Sequence, residues 1–266
     1  MARIINTVME DRLLNGIYIN ILKAVKKDSD LNLEVRTSSQ VIIYYKKSKI
    51  LTLFSRRKTP KLLSKGYWKN ETIPSFDINQ PDGYFDLAKN MVNQYKSIKA
   101  NEEFRIQQKI SIDNSGTENR YWVIDMEYQF SQNIIKNRIE NKTRFDLVSV
   151  DLKEQKIVLM ELKQGKESSK GKSGVVDHIN RYKEHIAHQG FRSWLRHDVK
   201  SMIDTKVKLG LFNDEIQSYI VNVEKMEIDF LVVFAFQSNV EKKQYSRNYP
   251  NTETIFINKN SDKYIL

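Results

Sequence analysis

The sequence predicts a mixed α/β fold, in which helices flank a β-sheet and a smaller antiparallel β unit precedes it. From residue 85 onward the apolar patterns follow the order helix, three strands, helix, strand, which is typical of a mixed sheet covered by helices. The run EIDFLVVFAF at Glu227–Phe236 is almost wholly apolar, as expected of a strand that is buried on both faces. With 266 residues, the chain can bury a sizeable core without covalent cross-links.

Residues 1–84 are predicted to form an N-terminal extension, made of a helix and a basic β-hairpin. Apolar residues recur at helical spacing over residues 8–27, which indicates one amphipathic helix. Three short strands are predicted next, at 31–36, 40–45 and 50–54. The segment Lys46-Lys47-Ser48-Lys49 is expected to form the turn between the last two strands. Residues 56–83 hold three of the four prolines and are expected to be a long surface connection.

Residues 85–266 are predicted to form the second domain. It should open with a helix over 85–108, with a break near Ala100, and continue into three strands. These strands are predicted at Tyr121–Gln129, Arg144–Asp151 and 156–163. A long helix over 174–195, a short helix over 216–223, the apolar strand described above and a last strand over 253–257 should follow.

Positive charge is concentrated near the N-terminus. The formal net charge is +11, and no Asp or Glu occurs from Val35 to Asn70. The Lys and Arg side chains of this stretch are Arg36, Lys46, Lys47, Lys49, Arg56, Arg57, Lys58, Lys61, Lys65 and Lys69. Such a one-sided charge favours a nucleic-acid partner, because every phosphate that is neutralised releases a counterion. The candidate phosphate-binding residues are Lys46, Lys47, Lys49, Arg56, Arg57 and Lys58. The alternative is a solvated basic face without a partner.

Aromatic residues are interleaved with these charges, namely Tyr44, Tyr45, Phe54, Tyr67 and Trp68. Aromatic rings between cations favour contact with nucleic acid, because bases stack on them. Tyr44 and Tyr45 are neighbours in a predicted strand and should point to opposite faces. We therefore expect only one of these two rings to be available for stacking on a base, while the other packs inward.

Three ionic residues mark the candidate chemistry. In the strand KIVLMELK, side-chain alternation puts Glu161 and Lys163 on one face, at the end of an otherwise apolar segment. Two charges at such a position are costly unless they pair or bind something. If this strand forms a hairpin with RFDLVSVD about the turn at 151–155, Asp146 comes close to Glu161 or Lys163.

Two carboxylates and a lysine in one place suit the hydrolysis of a phosphodiester. Carboxylate oxygens are hard ligands that select Mg²⁺ or Mn²⁺. Such a cation polarises the phosphate and makes a nearby water more acidic. The ammonium group of Lys163 could position the water and offset the charge that builds on the phosphate. The alternative is an ordinary ion-pair cluster at the edge of a sheet.

The spacing of these residues resembles the motif of the PD-(D/E)XK nuclease superfamily, in which an aspartate precedes an E-x-K triplet. Here Asp146 is followed by fourteen residues and then by Glu161-Leu162-Lys163, while Phe145 stands where the pattern has proline. The resemblance covers about residues 85–240 and implies a restriction-endonuclease-like αβββαβ core. It also implies that Asp146, Glu161 and the main-chain carbonyl of Leu162 are metal ligands and that Lys163 is catalytic.

Accessory residues follow from the same resemblance. Many members of the family add a glutamate from the helix before the first strand, and Glu103 matches this placement, with Glu102 as its rival. Glu127, on the first strand, is a further acid that could reach the metal. The helix after the E-x-K strand often contributes polar residues, which here would be His178 or Tyr182.

Two other motifs are weaker. The triplet Gly171-Lys172-Ser173 suggests a nucleotide-binding loop, but the pattern G-x-x-x-x-G-K-[ST] needs glycine where Lys166 stands. His185 and His188 could share a metal, but without cysteine a zinc site is disfavoured, and a solvated or packed histidine pair is preferred.

The sequence therefore predicts a Mg²⁺- or Mn²⁺-dependent nuclease, acting on DNA rather than RNA because the family's substrates are mostly DNA. The alternative from another class is a nucleic-acid-binding or protein-docking module without catalysis. The absence of cysteine, of an apolar leader and of a long apolar run favours a cytoplasmic protein without a membrane partner. The oligomeric state is left open, with a homodimer as one alternative.

Overall fold

The computed structural model describes residues 3–46, 48–68, 72–95, 102–129, 144–164, 174–216 and 222–266. It is a mixed α/β protein with two β-sheets and flanking helices. Backbone contacts group the chain into two compact units. The first comprises Met1–Gln108 with Ser201–Asn213, and the second comprises Lys109–Lys200 with Asp214–Leu266. This grouping places residues 85–108 with the N-terminal sheet, whereas the sequence-based division assigns them to the second domain.

The first unit begins with two helices, α1 (Thr7–Leu14) and α2 (Ile19–Lys27), where the sequence predicted one. Asn6 caps α1 by accepting a hydrogen bond from the N–H of Met9 at 2.8 Å. The chain leaves the helix at Asn15 and Gly16, whose N–H groups both donate to the carbonyl of Asp11. A Cβ atom at Gly16 would lie only 3.0 Å from the Cα of Arg12, so the break depends on the glycine.

The first sheet has four antiparallel strands in sequential order. They are β1 (Asn32–Thr37), β2 (Gln40–Tyr45), β3 (Ser48–Phe54) and β4 (Lys61–Leu62). The three predicted strands are confirmed, but β3 begins at Ser48 because that residue pairs with Tyr45. The turn is therefore shorter than predicted, and Lys47 lies outside the described residues. β4 was not predicted, since two residues are too short to produce a periodic pattern.

Three helices complete the N-terminal part of the first unit's sequence: α3 (Lys65–Trp68), α4 (Asp82–Gln94) and the start of α5 (Glu102–Asp113). The predicted helix over 85–108 is thus two helices, and residues 96–101 lie outside the described part. Tyr84 links α4 to the sheet, because its hydroxyl donates to the carbonyl of Ile50 at 2.6 Å and accepts from the N–H of Leu63. Burial raises the pKa of Tyr84 to about 12.

The second unit contains a five-stranded sheet in the order β5-β6-β7-β8-β9. Its strands are β5 (Tyr121–Gln129), β6 (Arg144–Asp151), β7 (Lys156–Gln164), β8 (Glu227–Phe236) and β9 (Thr254–Asn258). β5, β6 and β7 are antiparallel neighbours, whereas β8 runs parallel to β7 and β9 parallel to β8. The predicted strands are confirmed in their order along the chain, as is the hairpin that Asp151 and Lys156 close.

Helices α6 (Val175–Ala187), α7 (Gln189–Lys208) and α8 (Asn239–Asn248) follow the antiparallel strands. The helix predicted over 174–195 is therefore divided at His188, whose N–H donates to the carbonyl of His185. α6 packs through Val175 and Ile179 on Val232 and Phe234 of β8. Residues 217–221 of the predicted short helix lie outside the described part. No helix in the described ranges is both long and apolar enough to cross a membrane.

Candidate active site

Asp146 lies near the start of β6, beside β7. Its carboxylate oxygen Oδ2 accepts a hydrogen bond from the main-chain N–H of Leu162 at 2.9 Å. The side chain is buried, since Asp146 is 7% exposed. The hairpin therefore brings Asp146 to the Glu161-Leu162-Lys163 triplet, as the sequence predicted.

Glu161 and Lys163 form a buried ion pair on β7. The Lys163 Nζ atom donates to Oε1 of Glu161 at 2.6 Å, and each side chain is 6% exposed. A pair two residues apart on one strand is what side-chain alternation predicts. Because both charges are removed from water, each depends on the other to offset the cost of its desolvation.

Helix α6 adds two further contacts to the same carboxylate. His178 Nδ1 lies 2.8 Å from Oε1 of Glu161, and the Tyr182 hydroxyl donates to Oε2 at 2.5 Å. His178 and Tyr182 are four residues apart, which puts both on one face of a helix. The packing of α6 on β8 directs this face toward the end of β7. The sequence offered these two as alternatives, and the structure brings both to Glu161.

The electrostatics of Glu161 follow from these contacts. Burial by itself raises the pKa of this carboxyl group, but the hydrogen bond from His178 and the attraction of Lys163 outweigh it. The pKa therefore lies below its ordinary value of 4.5, and the group is an anion at neutral pH. Burial, followed by the negative charges of Glu161 and Asp146, raises the pKa of Tyr182 well above 10.0. Tyr182 therefore acts as a hydrogen-bond donor.

The donor set suits a divalent cation. Asp146 and Glu161 supply carboxylate oxygens, which are the ligands that Mg²⁺ and Mn²⁺ prefer. Among the described contacts of Glu161, Oε2 accepts one hydrogen bond, from Tyr182, so a lone pair is left for a cation. The part of the chain that is described contains no group of three or more His, Cys, Asp or Glu side chains placed to hold a metal. A cation here would therefore complete its coordination with main-chain carbonyls, water or substrate oxygens.

Glu127 lies on β5 next to Asp146 of β6. The flanking residues are paired, Met126 with Leu147 and Tyr128 with Phe145, so Glu127 and Asp146 occupy the position between two registered pairs. The φ angle of Glu127 is 57°, in the left-handed region that residues with a side chain seldom adopt. Such a conformation costs about 1–3 kcal/mol. The Glu127 carboxylate forms an ion pair with Arg144 at 2.8 Å.

Two further predicted ligands are Glu103 and the main-chain carbonyl of Leu162. Glu103 lies in the first turn of α5, in the part of this helix that belongs to the first unit, and it is half-buried. Its rival Glu102 lies 3.9 Å from Arg105. Leu162 is buried in β7, where it pairs with Val233 of β8. The metal-binding roles of Glu103 and of the Leu162 carbonyl stay predictions.

The predicted nucleic-acid-binding side chains lie in the first unit. Lys46, Lys49 and the consecutive residues Arg56, Arg57 and Lys58, which we call the basic loop, are exposed. The main chain of the basic loop is anchored, because the carbonyl of Arg57 accepts hydrogen bonds from Arg12 and from the Tyr18 hydroxyl. Lys46 donates to Asn93 at 2.6 Å.

The expectation that either Tyr44 or Tyr45 is available for stacking on a base is wrong. Tyr44 and Tyr45 are both buried, at 3% and 5% exposure. β2 is an inner strand between β1 and β3, and Arg36 covers Tyr44 with its guanidinium 5.1 Å from the ring. Tyr45 reaches Asn93 through a hydrogen bond of 3.1 Å. Trp68 is buried as well, so these aromatic residues belong to the core of the unit.

The weaker motifs have structural explanations of their own where they are described. His185 is a packed histidine, buried between the rings of Phe145 and Phe191, with Nδ1 2.7 Å from the carbonyl of Arg181. Burial lowers its pKa below 6.5. The triplet Gly171-Lys172-Ser173 lies outside the described residues.

Arg144 is a charged neighbour of the candidate site that the sequence did not single out. It is the first residue of β6, two positions before Asp146, and it pairs with Glu127. The signal that could have found it is alternation, which puts residues 144 and 146 on the same side of a strand.

Comparison of the chain with protein-family models, with curated proteins and with solved structures gives no match.

Proposed function

We propose that this protein hydrolyses phosphodiester bonds of nucleic acid with Mg²⁺ or Mn²⁺, most simply as a DNA endonuclease. The observation that carries the proposal is the meeting of Asp146, Glu161 and Lys163 at one end of the β6–β7 hairpin. Two carboxylates and a lysine that share a buried position suit metal-dependent phosphoryl chemistry better than they suit an ordinary ion-pair cluster at the edge of a sheet.

The order of elements supports the same proposal. Helix α5 precedes three antiparallel strands, which are followed by α6 and α7 and by a parallel strand, β8. This αβββαβ order is the one implied by the resemblance to the PD-(D/E)XK superfamily. The candidate residues also lie on its second and third strands, as the resemblance requires. Under this proposal the second unit carries a restriction-endonuclease-like core.

The residues of the chain would divide the chemistry as follows. Asp146 and Glu161 would hold the cation, which when bound polarises the phosphate and acidifies water. The N–H of Leu162 orients the Asp146 carboxylate. The Lys163 ammonium can turn from Glu161 to a phosphate oxygen, where it stabilises the charge that develops during cleavage. Glu161 loses part of its neutralisation when Lys163 turns away, and a bound cation would supply the positive charge that Glu161 then lacks.

His178 and Tyr182 would act as positioning residues. They hold the Glu161 carboxylate from two sides, through Oε1 and Oε2 respectively. A ligand held in this way keeps its orientation when the cation binds, which generally strengthens metal binding. The basic loop would supply electrostatic attraction for the phosphate backbone of the substrate, without reading its sequence.

The test is cleavage of plasmid and oligonucleotide DNA with Mg²⁺ or Mn²⁺ by the wild type, by Asp146→Asn and by Lys163→Ala. Lys153→Ala serves as the matched control, because Lys153 is an exposed lysine at the opposite end of the β6–β7 hairpin. We expect both site variants to lose at least about 10²-fold in rate, whereas the control keeps wild-type activity. Equal activity of all four proteins would eliminate the proposed centre.

A second candidate is a nucleic-acid-binding module without catalysis. The observation that favours it is the combination of an exposed basic loop with a Glu161 carboxylate that Lys163, His178 and Tyr182 already satisfy. A buried cluster of this kind is stable without a metal. Tight, salt-dependent DNA binding with no cleavage in Mg²⁺ or Mn²⁺, and no Mn²⁺ binding in calorimetry, would support this candidate against the nuclease.

A further inference from the structure

Arg144 is a cation beside the proposed metal centre. It lies two residues before Asp146 on β6, and residues two apart on a strand emerge on the same face, about 7 Å from each other. Its side chain is 52% exposed, in contrast to the buried side chains of the centre. Arg144 is therefore accessible to a ligand that approaches Asp146 from solvent.

Glu127 holds the guanidinium group of Arg144. The distance from Arg144 NH1 to Glu127 Oε2 is 2.8 Å, and the Glu127 side chain is only 11% exposed. Glu127 keeps a left-handed backbone conformation inside a strand, in a region that residues with a side chain seldom adopt. Strained backbone of this kind concentrates at functional sites, because the surrounding structure must maintain it. The ion pair thus joins an acid that is mostly shielded from solvent and restrained in its backbone to an exposed base.

We propose that Arg144 binds a phosphate of the nucleic-acid substrate at the centre formed by Asp146 and Glu161, and that Glu127 positions the guanidinium for this contact. The inference rests on the proposed function, which it deepens by naming a substrate-binding residue. Arg144 suits the role because the planar guanidinium can donate two parallel hydrogen bonds to a phosphate. It also offsets the repulsion that the carboxylates of Asp146 and Glu161 exert on an approaching phosphate.

The first measurement is DNA affinity, which does not require cleavage. A short fluorescent DNA duplex is titrated with wild type, Arg144→Ala, Arg144→Lys, Glu127→Gln and Arg247→Ala, in Ca²⁺ and separately in EDTA, with anisotropy as the readout. Arg247 is the matched control, an exposed arginine on α8. We expect Arg144→Ala to weaken DNA binding about tenfold in Ca²⁺. The loss should be smaller in EDTA, because the cation and Arg144 contact the same phosphate and the phosphate is held there less well without the cation. Arg247→Ala should have the same small effect in both solutions.

The second measurement is the single-turnover cleavage rate with Mn²⁺. We expect a loss of about 10²-fold for Arg144→Ala, and a smaller loss for Arg144→Lys, which keeps the charge but lacks the planar fork. Glu127→Gln should lower the rate about tenfold and leave Mn²⁺ affinity unchanged, since Glu127 acts through Arg144. Thermal unfolding of each variant establishes that it is folded. The double variant Glu127→Gln/Arg144→Ala replaces Arg144→Ala if the single substitution destabilises the protein.

The two proposals fail in different ways. If the wild type cleaves DNA but Arg144→Ala matches Arg247→Ala in both assays, Arg144 does not bind the substrate phosphate. If Glu127→Gln equals wild type, the positioning role of Glu127 is wrong. If the wild type neither cleaves DNA nor binds Mn²⁺, the nuclease proposal fails. The comparison of Ca²⁺ with EDTA then still decides on Arg144, because an equal loss in both solutions overturns the shared phosphate.

Discussion

The phenol oxygen of Tyr182 lies 2.5 Å from Oε2 of Glu161 and connects α6 to the end of β7. Burial and the neighbouring carboxylates raise the pKa of Tyr182 well above 10.0, so Tyr182 is the donor of this hydrogen bond at neutral pH. Lys163 and His178 meet the other oxygen of the same carboxylate. Glu161 is thus held in one orientation by donors from two elements.

Tyr182→Phe should destabilise the protein by about 1–3 kcal/mol, because it leaves a buried, charged acceptor without its donor. The measurement is urea-induced unfolding at neutral pH. Tyr264→Phe is a matched control, since it removes a phenol hydrogen bond to the neutral carbonyl of Lys259, and it should cost about 1 kcal/mol. Equal losses for the two variants would mean that the charge of Glu161 does not strengthen the Tyr182 hydrogen bond.

Asp151 should make stability depend on acid pH. Burial alone would raise its pKa, but the hydrogen bonds from Arg120 and from the N–H groups of Glu154 and Lys153 hold the pKa below 3.8. A lowered pKa means that the unfolded chain takes up the proton first. The contribution of Asp151 to the free energy of unfolding is therefore complete above about pH 4. It is lost as the pH falls through the pKa that Asp151 has in the folded protein.

Asp151→Asn tests this sign. We expect it to cost about 1 kcal/mol at neutral pH, and the difference from wild type should shrink as unfolding is measured toward about pH 3. Asp262→Asn, at an exposed acid of the same unit, should cost less than about 0.5 kcal/mol at neutral pH. A cost of Asp151→Asn that grows in acid would contradict the assignment.

Removal of the three charges of the basic loop should weaken DNA binding. If Arg56, Arg57 and Lys58 each contact a phosphate, replacing all three with alanine makes the negative slope of the logarithm of the DNA-binding constant against the logarithm of the salt concentration shallower by about 3. The control triple variant Lys243→Ala, Arg247→Ala, Lys263→Ala removes the same charge from exposed positions in the second unit. Identical slopes for the two triple variants would show that net charge, rather than the loop, attracts DNA.

A buried ion pair in the first unit should be important for stability. Lys206 Nζ lies 3.0 Å from Oε2 of Glu34, and the side chains are 6% and 1% exposed. Glu34→Gln should cost at least about 3 kcal/mol, because it leaves a buried ammonium without its counter-charge. The double variant Glu34→Leu/Lys206→Met should be more stable than the Glu34→Gln variant in urea unfolding. A double variant that is less stable than the Glu34→Gln variant would contradict this expectation.

Much of the second sheet could be predicted from local pattern. The alternation in RFDLVSVD and KIVLMELK gave β6 and the core of β7, and the short turn between them allowed only an antiparallel hairpin. Asp146 could therefore be placed near Glu161 and Lys163. Helix ends were less predictable, because the breaks at Gly16 and His188 interrupt patterns that continue on both sides. The buried tyrosines of β2 were misjudged, since alternation does not reveal that both faces of a strand are covered.

The sequence by itself determined the long strands and which acids and lysines share a strand face, because those properties depend on neighbours along the chain. Only the tertiary structure decided that His178 and Tyr182 both contact Glu161, that Arg144 pairs with Glu127, and that Lys206 pairs with Glu34. These contacts depend on how a helix packs, on a strained backbone angle and on the approach of distant segments. Periodicity describes which face of an element is apolar, but it does not specify which polar groups meet when apolar faces are buried.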